Sequence, residues 1–578
     1  MTTNDIPHVP DDVTLPQFIF GTHYIRPSRP ENIPWLVDDE TGLQYGGKEV
    51  CATSPMVQSM NEVVSVAVER TVTGVVKRFA ATLPINSLES GDVVVLFSGN
   101  HIDYPICIWA IQQFLGTVAP TNPAFTVPEL TTHLRAVKAT VVITQSDVLP
   151  IVEKAAQQVG IPLDRIVTID KSTQVSIPQL LEEGLTLPPP REFKLKAGEN
   201  RNQIAFLNTS SGTTGPPKVV KISHYAVIAN VLLVAAHNKV HLDYTQWAEK
   251  RYRVGDSCFA VLPLYHIYGL DLILHFNIFA GMSVVIAPKF NFANMLSSIV
   301  RHRITHLMIV PPQVVLLCKD PIVKNYNLSG VRVVLCAASA LPAELYEQLS
   351  ALLPHAHIGQ AYGSTEVTGV ASMCPIADKK NPYGGTFIPG VTGKVINPDG
   401  SPAGPNEEGE LLIKTVASAS GYLDNEAATK ETFLENGWIR SGDIVRIDEV
   451  GNIVVVDRVK EMIKVRGFQV APAEIEGTIL DSPLADDVCV VPIPDTYSGE
   501  LPLAYVVPSQ LAKDMIGQGG EEKVKQGIFQ HVAVNKARFK HLARVEFIES
   551  IPKTPSGKLL RRDLREQAKK LMTEKGKL

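Results

Sequence analysis

The sequence predicts a layered α/β protein, with a large N-terminal α/β domain over residues 1–458 joined by a hinge to a small α+β domain over residues 459–578. Three observations carry this. The chain has 578 residues, and single cores stop growing at roughly 250–300, so it divides into at least two domains. Short runs rich in β-branched residues alternate with helix-like stretches through most of its length, the pattern of buried parallel strands crossed by helices. Beyond Asp443 the pattern changes to paired strands and a charged helix, a plausible domain of about a hundred residues by size.

The elements follow in order. From Asp92 the chain reads as a strand (Val93–Phe97), a turn at Ser98-Gly99-Asn100 and a helix over Tyr104–Leu115. Further strand-like runs are Val141–Thr144, Ile166–Ile169, Val284–Ala287, Leu307–Val310 and Val331–Leu335. The most apolar stretch, Val261–Pro288, is interrupted by His266, Asp271, His275 and Asn277, so it reads as buried strand and helix, not a membrane span. After Asp443 come a strand at Ile453–Val456, a charged stretch Asp457–Lys464, and strands at Val488–Pro492 and Leu503–Val507. Residues Cys51–Arg70 read as an insertion with its own apolar content.

Composition narrows the class. With 45% hydrophobic and 20% charged residues the chain is an ordinary globular protein. A net charge of -5 provides no basic field for nucleic acid. The seven cysteines, among them Cys107, Cys258, Cys336 and Cys489, lack metal-ligand or redox spacing and read as free thiols in a reducing compartment. Asp5, Asp11 and Asp12 replace the basic start of a signal peptide, which points to the cytoplasm, while the final Gly576-Lys577-Leu578 sits close to the peroxisomal Ser-Lys-Leu address.

Five segments carry chemistry. Thr209-Ser210-Ser211-Gly212-Thr213-Thr214-Gly215-Pro216-Pro217-Lys218 follows an apolar strand, and hydroxyls and glycines at this density let backbone N–H groups converge on phosphate oxygens. A flexible Ser/Thr/Gly linker is the alternative. Gln360-Ala361-Tyr362-Gly363-Ser364-Thr365-Glu366 offers a ring to stack on a base, a hydroxyl and a Mg²⁺ ligand, or else a turn leading into a helix. Ser441-Gly442-Asp443 presents a carboxylate after a turn, suited to ribose hydroxyls or simply to solvent. Asp457–Val470 holds cations that line an anion or form a solvated face. Pro552-Lys553-Thr554-Pro555-Ser556-Gly557-Lys558 is a loop presenting a lysine.

Taken in order, the five segments resemble the acyl-adenylate-forming superfamily of acyl-CoA synthetases, luciferases and peptide-synthetase adenylation domains. Within it, Leu262-Pro263-Leu264-Tyr265-His266-Ile267-Tyr268-Gly269-Leu270 and Gly467-Phe468-Gln469-Val470-Ala471-Pro472-Ala473-Glu474 look most like 4-coumarate–CoA ligase and related aryl or medium-chain acyl-CoA ligases. The resemblance implies ATP, Mg²⁺ and coenzyme A, with a small carboxylic acid as partner.

It also implies roles. Ser210, Ser211, Gly212, Thr213, Thr214 and Lys218 would meet the ATP phosphates, with Gln360, Ala361, Tyr362 and Gly363 along the nucleotide. Thr365 would serve the phosphate and Glu366 the Mg²⁺; Asp443 and Arg458 would take the ribose hydroxyls, and His266 would lie by the carboxylate. Lys558 would approach the α-phosphate, Lys464 and Gln469 the acyl-adenylate, with Lys460 at the hinge; Lys289, Arg466 and Gly467 would meet CoA.

The implied acid pocket holds Tyr268, Leu272, Ala337, Ala338, Ala361, Gly369 and Val370, an apolar slot with a phenol to hydrogen-bond, although such residues also serve as ordinary core. Two departures sit beside it. Ala337 and Ala361 replace glycines common in the family, and each adds a methyl. Amino-acid adenylation modules hold the substrate amine with an aspartate where this chain has Ile267. A stand-alone adenylation enzyme with another acceptor, a luciferase-like oxygenase and a silent nucleotide sensor are the remaining alternatives.

Overall fold

The computed structural model describes residues 6–30, 32–46, 92–170, 175–184, 194–210, 218–458, 461–465, 468–495, 498–536, 538–553 and 559–575. The insertion at Cys51–Arg70 and the final Gly576-Lys577-Leu578 lie outside them.

Four sheets organise the chain. The first has six strands ordered Ile166–Thr168, Ala139–Thr144, Val93–Phe97, Thr117–Thr121, Ile204–Ser210 and Lys218–Ser223, all parallel except the last. The second runs through nine strands, with a parallel centre of His357–Ser364, Val333–Cys336, His306–Ile309, Ser257–Ala260, Ser283–Ile286 and Leu36–Asp38. Antiparallel strands close both of its edges. The expected strands therefore form, shifted by one or two residues at their ends. They were readable because parallel strands buried on both faces are continuous apolar runs; all of Val93–Phe97 is buried.

The helix His224–His237 is buried along nearly its whole length and shares one core with strands of both sheets. Apolar residues all round its circumference leave it no solvent face. Ser223 starts it by accepting the Ala226 N–H at 3.2 Å, a cap worth about 1 kcal/mol.

A third, antiparallel sheet of Val391–Ile396, Gly409–Thr415, Ile439–Ile447 and Ile453–Arg458 follows. Ser441-Gly442-Asp443 thus lies within a strand and not in a surface turn: Gly442, at φ +71°, and neighbouring irregularities in register let the strand continue. The small unit is α+β as expected. Ala485–Asp495 and Gly499–Pro508 form a longer hairpin than the apolar runs suggested, with Arg544–Phe547 beside it and its own core.

No helix among the described residues is long and apolar enough to cross a membrane. Cys107, Cys258, Cys336, Cys374 and Cys489 are buried free thiols and Cys318 is half-buried.

Candidate active site

The functional segments gather at the C-terminal ends of parallel strands, where α/β sheets place ligand crevices. Strand Ile204–Ser210 ends at the Ser/Thr/Gly loop, Ser257–Ala260 precedes His266, Ser283–Ile286 precedes Lys289, Val333–Cys336 precedes Ala337, and His357–Ser364 precedes Thr365.

Ser210 pairs directly with Lys218 across the antiparallel strands, so both ends of the loop are pinned. Its interior, including Ser211, Gly212, Thr213 and Thr214, lies outside the described residues. The Lys218 ammonium stands 4.7 Å from the centre of the Tyr422 ring, a favourable cation–π geometry. Tyr422 in turn donates from its hydroxyl to Glu366 Oε1 at 2.9 Å. This chain of three joins the two motifs expected at the phosphates. Sequence reasoning missed Tyr422, whose only local signal is a tyrosine after Gly421.

The second motif runs along strand His357–Ser364, and a tight turn over 365–368 returns it into Gly369–Met373. No helix follows, because the chain re-enters the sheet at once. Thr368 has φ +60°, uncommon for a β-branched residue and costing about 1–3 kcal/mol. Gly363 has no alternative: a Cβ there would lie 1.8 Å from the Gly369 carbonyl oxygen. Gln360 uses its side chain internally, accepting from the Leu341 N–H at 2.9 Å and donating to the Pro382 carbonyl. Thr365 is buried and Glu366 half-buried.

Tyr362 points to the third motif, its hydroxyl donating to Asp443 Oδ2 at 2.7 Å. Asp443 and Arg458 are direct partners on neighbouring strands, and Arg458 Nε stands 2.7 Å from Asp443 Oδ1. The carboxylate raises the guanidinium's pKa, and burial followed by Asp443 pushes the Tyr362 phenol well above its ordinary value. A carboxylate 3% exposed and fixed by two donors is a preorganised acceptor for a diol.

On the side expected to meet the acid, His266 Nδ1 accepts the Tyr268 N–H at 3.3 Å. The nine-residue π-helix Tyr268–Phe276 then packs inward. Tyr268 donates its hydroxyl to the Leu335 carbonyl at 3.0 Å, so the phenol expected to serve the acid is already engaged. Leu272, Ala337, Ala361 and Val370 join Tyr268 in one core cluster. The added methyls of Ala337 and Ala361 are buried, while Ala338 takes φ +71° and Gly369 φ +120°. Asp271 is fully buried with neither oxygen hydrogen-bonded, and burial holds its pKa far above the carboxylate range. Nothing in the sequence marked it beyond a charge in an apolar run.

Lys289 and Lys464 are exposed. Lys464 stands opposite Gln469 in its sheet and donates its N–H to Glu500 at 2.8 Å. Lys460, Arg466, Gly467 and Lys558, with the Gln469 side chain, lie outside the described residues.

The AMP-binding enzyme family matches residues 71–423, and its C-terminal domain matches residues 474–558. The chain belongs to the AMP-binding enzyme family. A 4-coumarate-CoA ligase 1 from Narcissus pseudonarcissus is 35% identical over 498 residues, 85% of this chain and 86% of the relative. A peroxisomal OPC-8:0-CoA ligase 1 from Arabidopsis thaliana is 34% identical over 482 residues, 82% and 84% of the two chains. Among solved structures, an anthranilate CoA ligase complexed with anthranoyl-AMP superposes with a TM-score of 0.80 at 22% identity, over 99% of this chain and 100% of that one. As in other AMP-binding enzymes of this fold, a large α/β body is followed by a small C-terminal unit.

Proposed function

We propose that the chain is an ATP-dependent acid–CoA ligase: carboxylic acid and ATP form acyl-AMP and pyrophosphate, and CoA then takes the acyl group to give acyl-CoA and AMP. The observation that carries this is the pair of side-chain sets built on the end of strand His357–Ser364: Lys218–Tyr422–Glu366, joined by a cation–π contact and a hydrogen bond, and Tyr362–Asp443–Arg458, joined by a hydrogen bond and an ion pair. One set suits phosphates and the other a ribose.

Joining a carboxylate to a triphosphate brings two anions together, so the protein's work is positioning and charge neutralisation. Lys218 supplies a cation at the phosphate loop. His266 would lie by the acid's carboxylate. Asp443 and Arg458 fix the ribose, and Lys558 supplies the second cation at the α-phosphate. Glu366 suits Mg²⁺: Tyr422 occupies Oε1 only, and this ion is commonly bound through one carboxylate plus phosphates and water. Bound there, Mg²⁺ would neutralise charge on the triphosphate. Lys464 and Gln469 would meet the acyl-adenylate, with Lys289, Arg466 and Gly467 at CoA. An aryl, arylalkanoic or medium-chain aliphatic acid suits the apolar Tyr268–Leu272–Val370 wall.

The test is a pyrophosphate-release screen over aryl, arylalkanoic and aliphatic acids, with and without CoA, and mass spectrometry of the products. An acyl-CoA product establishes the ligase. Acid-dependent pyrophosphate without a thioester points to another acceptor or to oxygen chemistry. ATP binding with no acid-dependent release leaves a nucleotide sensor.

A further inference from the structure

One buried side chain spans the expected hinge. Asp457 is the penultimate residue of Ile453–Arg458, the last strand of the large domain, and is 7% exposed. Its Oδ2 accepts the N–H of Ala473 at 3.1 Å, and its Oδ1 accepts the N–H of Arg458 at 2.7 Å. Ala473 lies in the first turn of the small-domain helix Pro472–Leu480. That helix has no cap of its own, because Ala471 carries no acceptor and Pro472 no N–H. The carboxylate of Asp457 therefore does for this helix what a local Ser or Asp does elsewhere, at the end where the helix dipole favours negative charge.

Behind Asp457 sits a buried ionic cluster. Arg561 donates from Nε to Glu461 at 2.7 Å and grips both oxygens of Glu476, one at 2.9 Å. Glu476 also accepts the Val490 N–H at 2.7 Å. Glu461, Glu476 and Arg561 all lie beyond residue 460, so they belong to one body. Asp457 alone stands on the near side. With three carboxyl groups around one guanidinium the cluster is short of positive charge. Burial pushes Asp457 up to about 6, Arg561 opposes this and Glu476 adds to it.

Turning at residue 460 would strain this bond, since donor and acceptor lie on opposite sides of it. We propose that Asp457 is the latch of the small domain: its carboxylate caps helix Pro472–Leu480 in the orientation seen here and releases it when the domain turns between the two half-reactions. Asp457 is a positioning residue, with no substrate contact of its own. The half-reactions come from the ligase reading above, whereas the latch itself rests only on this hydrogen bond.

The experiment uses the full chain and the variants Asp457→Ala, Asp457→Val, which fills the buried space with a strand-forming residue, and Asp457→Asn, which keeps an acceptor oxygen. Tryptic nicking after Arg458, Lys460, Lys464 or Arg466 is followed without substrate. Adenylation is measured by pyrophosphate release, and thioester formation from supplied acyl-AMP and CoA. Loss of a helix cap corresponds to about fivefold in a population. Nicking should therefore accelerate about fivefold in Asp457→Ala or Asp457→Val, and the ratio of the two half-reaction rates should shift about fivefold, with Asp457→Asn returning most of both. Unchanged nicking, or two half-reactions falling by one common factor, overturns the latch. If the wild-type chain activates no acid, the ligase reading fails while the nicking arm still tests the latch.

Discussion

Replacing Asp443 by alanine tests the nucleotide site most directly. The carboxylate is 3% exposed and held at 2.7 Å by both Tyr362 and Arg458, so it is fixed before ATP arrives. Hydrogen bonds to a charged group contribute about 1.5–3 kcal/mol each. Two ribose hydroxyls lost together, partly replaced by water, amount to about 3–4 kcal/mol, or roughly 10²–10³-fold in kcat/KM for ATP. The discriminating arm is 2′-deoxyATP. Wild type should lose about tenfold against ATP, the share of one hydroxyl, and Asp443→Ala should scarcely distinguish the two nucleotides. The KM for the acid should hold steady. Because Arg458 also loses its partner, thermal denaturation of the variant is measured alongside. A deoxy penalty of equal size in wild type and variant refutes the ribose assignment, whatever the absolute rates.

Lys558→Ala should slow adenylation roughly 10²–10³-fold, the scale of one preorganised charge-stabilising group, while thioester formation from supplied acyl-AMP is largely spared; equal losses in both would sink the two-orientation scheme. Asp271→Leu should raise the melting temperature, since replacing an unpaired buried carboxyl removes a desolvation cost of about 1–3 kcal/mol; a fall would mean that Asp271 has a partner when folded in solution. Burial lowers His224 to about 3 and His237, His275 and His306 to about 4. Their folded pKa values are depressed, so the neutral rings favour the fold above the unfolded value near 6.5 and this support drains away as pH falls towards 4. At about 1.4 kcal/mol per unit for each ring, the urea midpoint should drop clearly between about pH 7.5 and about pH 5.5, with the raised carboxyls of Asp271 and Asp457 acting in the opposite sense. A midpoint independent of pH would contradict the burial of these rings.

The core strands were legible because burial on both faces writes itself as an uninterrupted apolar run. Ser441-Gly442-Asp443 was not, since serine and glycine are turn letters and only the neighbouring strands reveal that Gly442 sits at an irregularity inside one continuous strand. The same holds for Thr365 and Glu366, where a helix and a tight return to the sheet begin with similar residues. Contacts between distant segments were invisible in a different way. Tyr422 meets Glu366 across 56 residues and Arg561 meets Glu476 across 85, and periodicity reports only which face is buried, not what it meets. Tyr268 shows the limit most plainly: a phenol in the expected pocket was readable, but its bond to the Leu335 carbonyl was not.

The turn at Thr365–Thr368 gives these observations a common origin. At its start Glu366 is tied through Tyr422 to Lys218, on the phosphate side. Just past its end Gly369 lies so close to Asp271 that a Cβ would come within 2.5 Å of the carboxyl, on the acid side. On the proposed reading this short segment would border both reactants, and Thr368 at φ +60° keeps it in a conformation a free chain would leave. Rigid placement of two anions is what the chemistry demands, since a displacement of about 1 Å can cost about a hundredfold in rate. In the proposed site Ala337 and Ala361, standing where smaller residues would leave more room, would alter the acid wall while lying outside this turn. The nucleotide side can therefore stay constant while the acid side changes, which is why the motifs announce ATP so clearly and the identity of the acid so faintly.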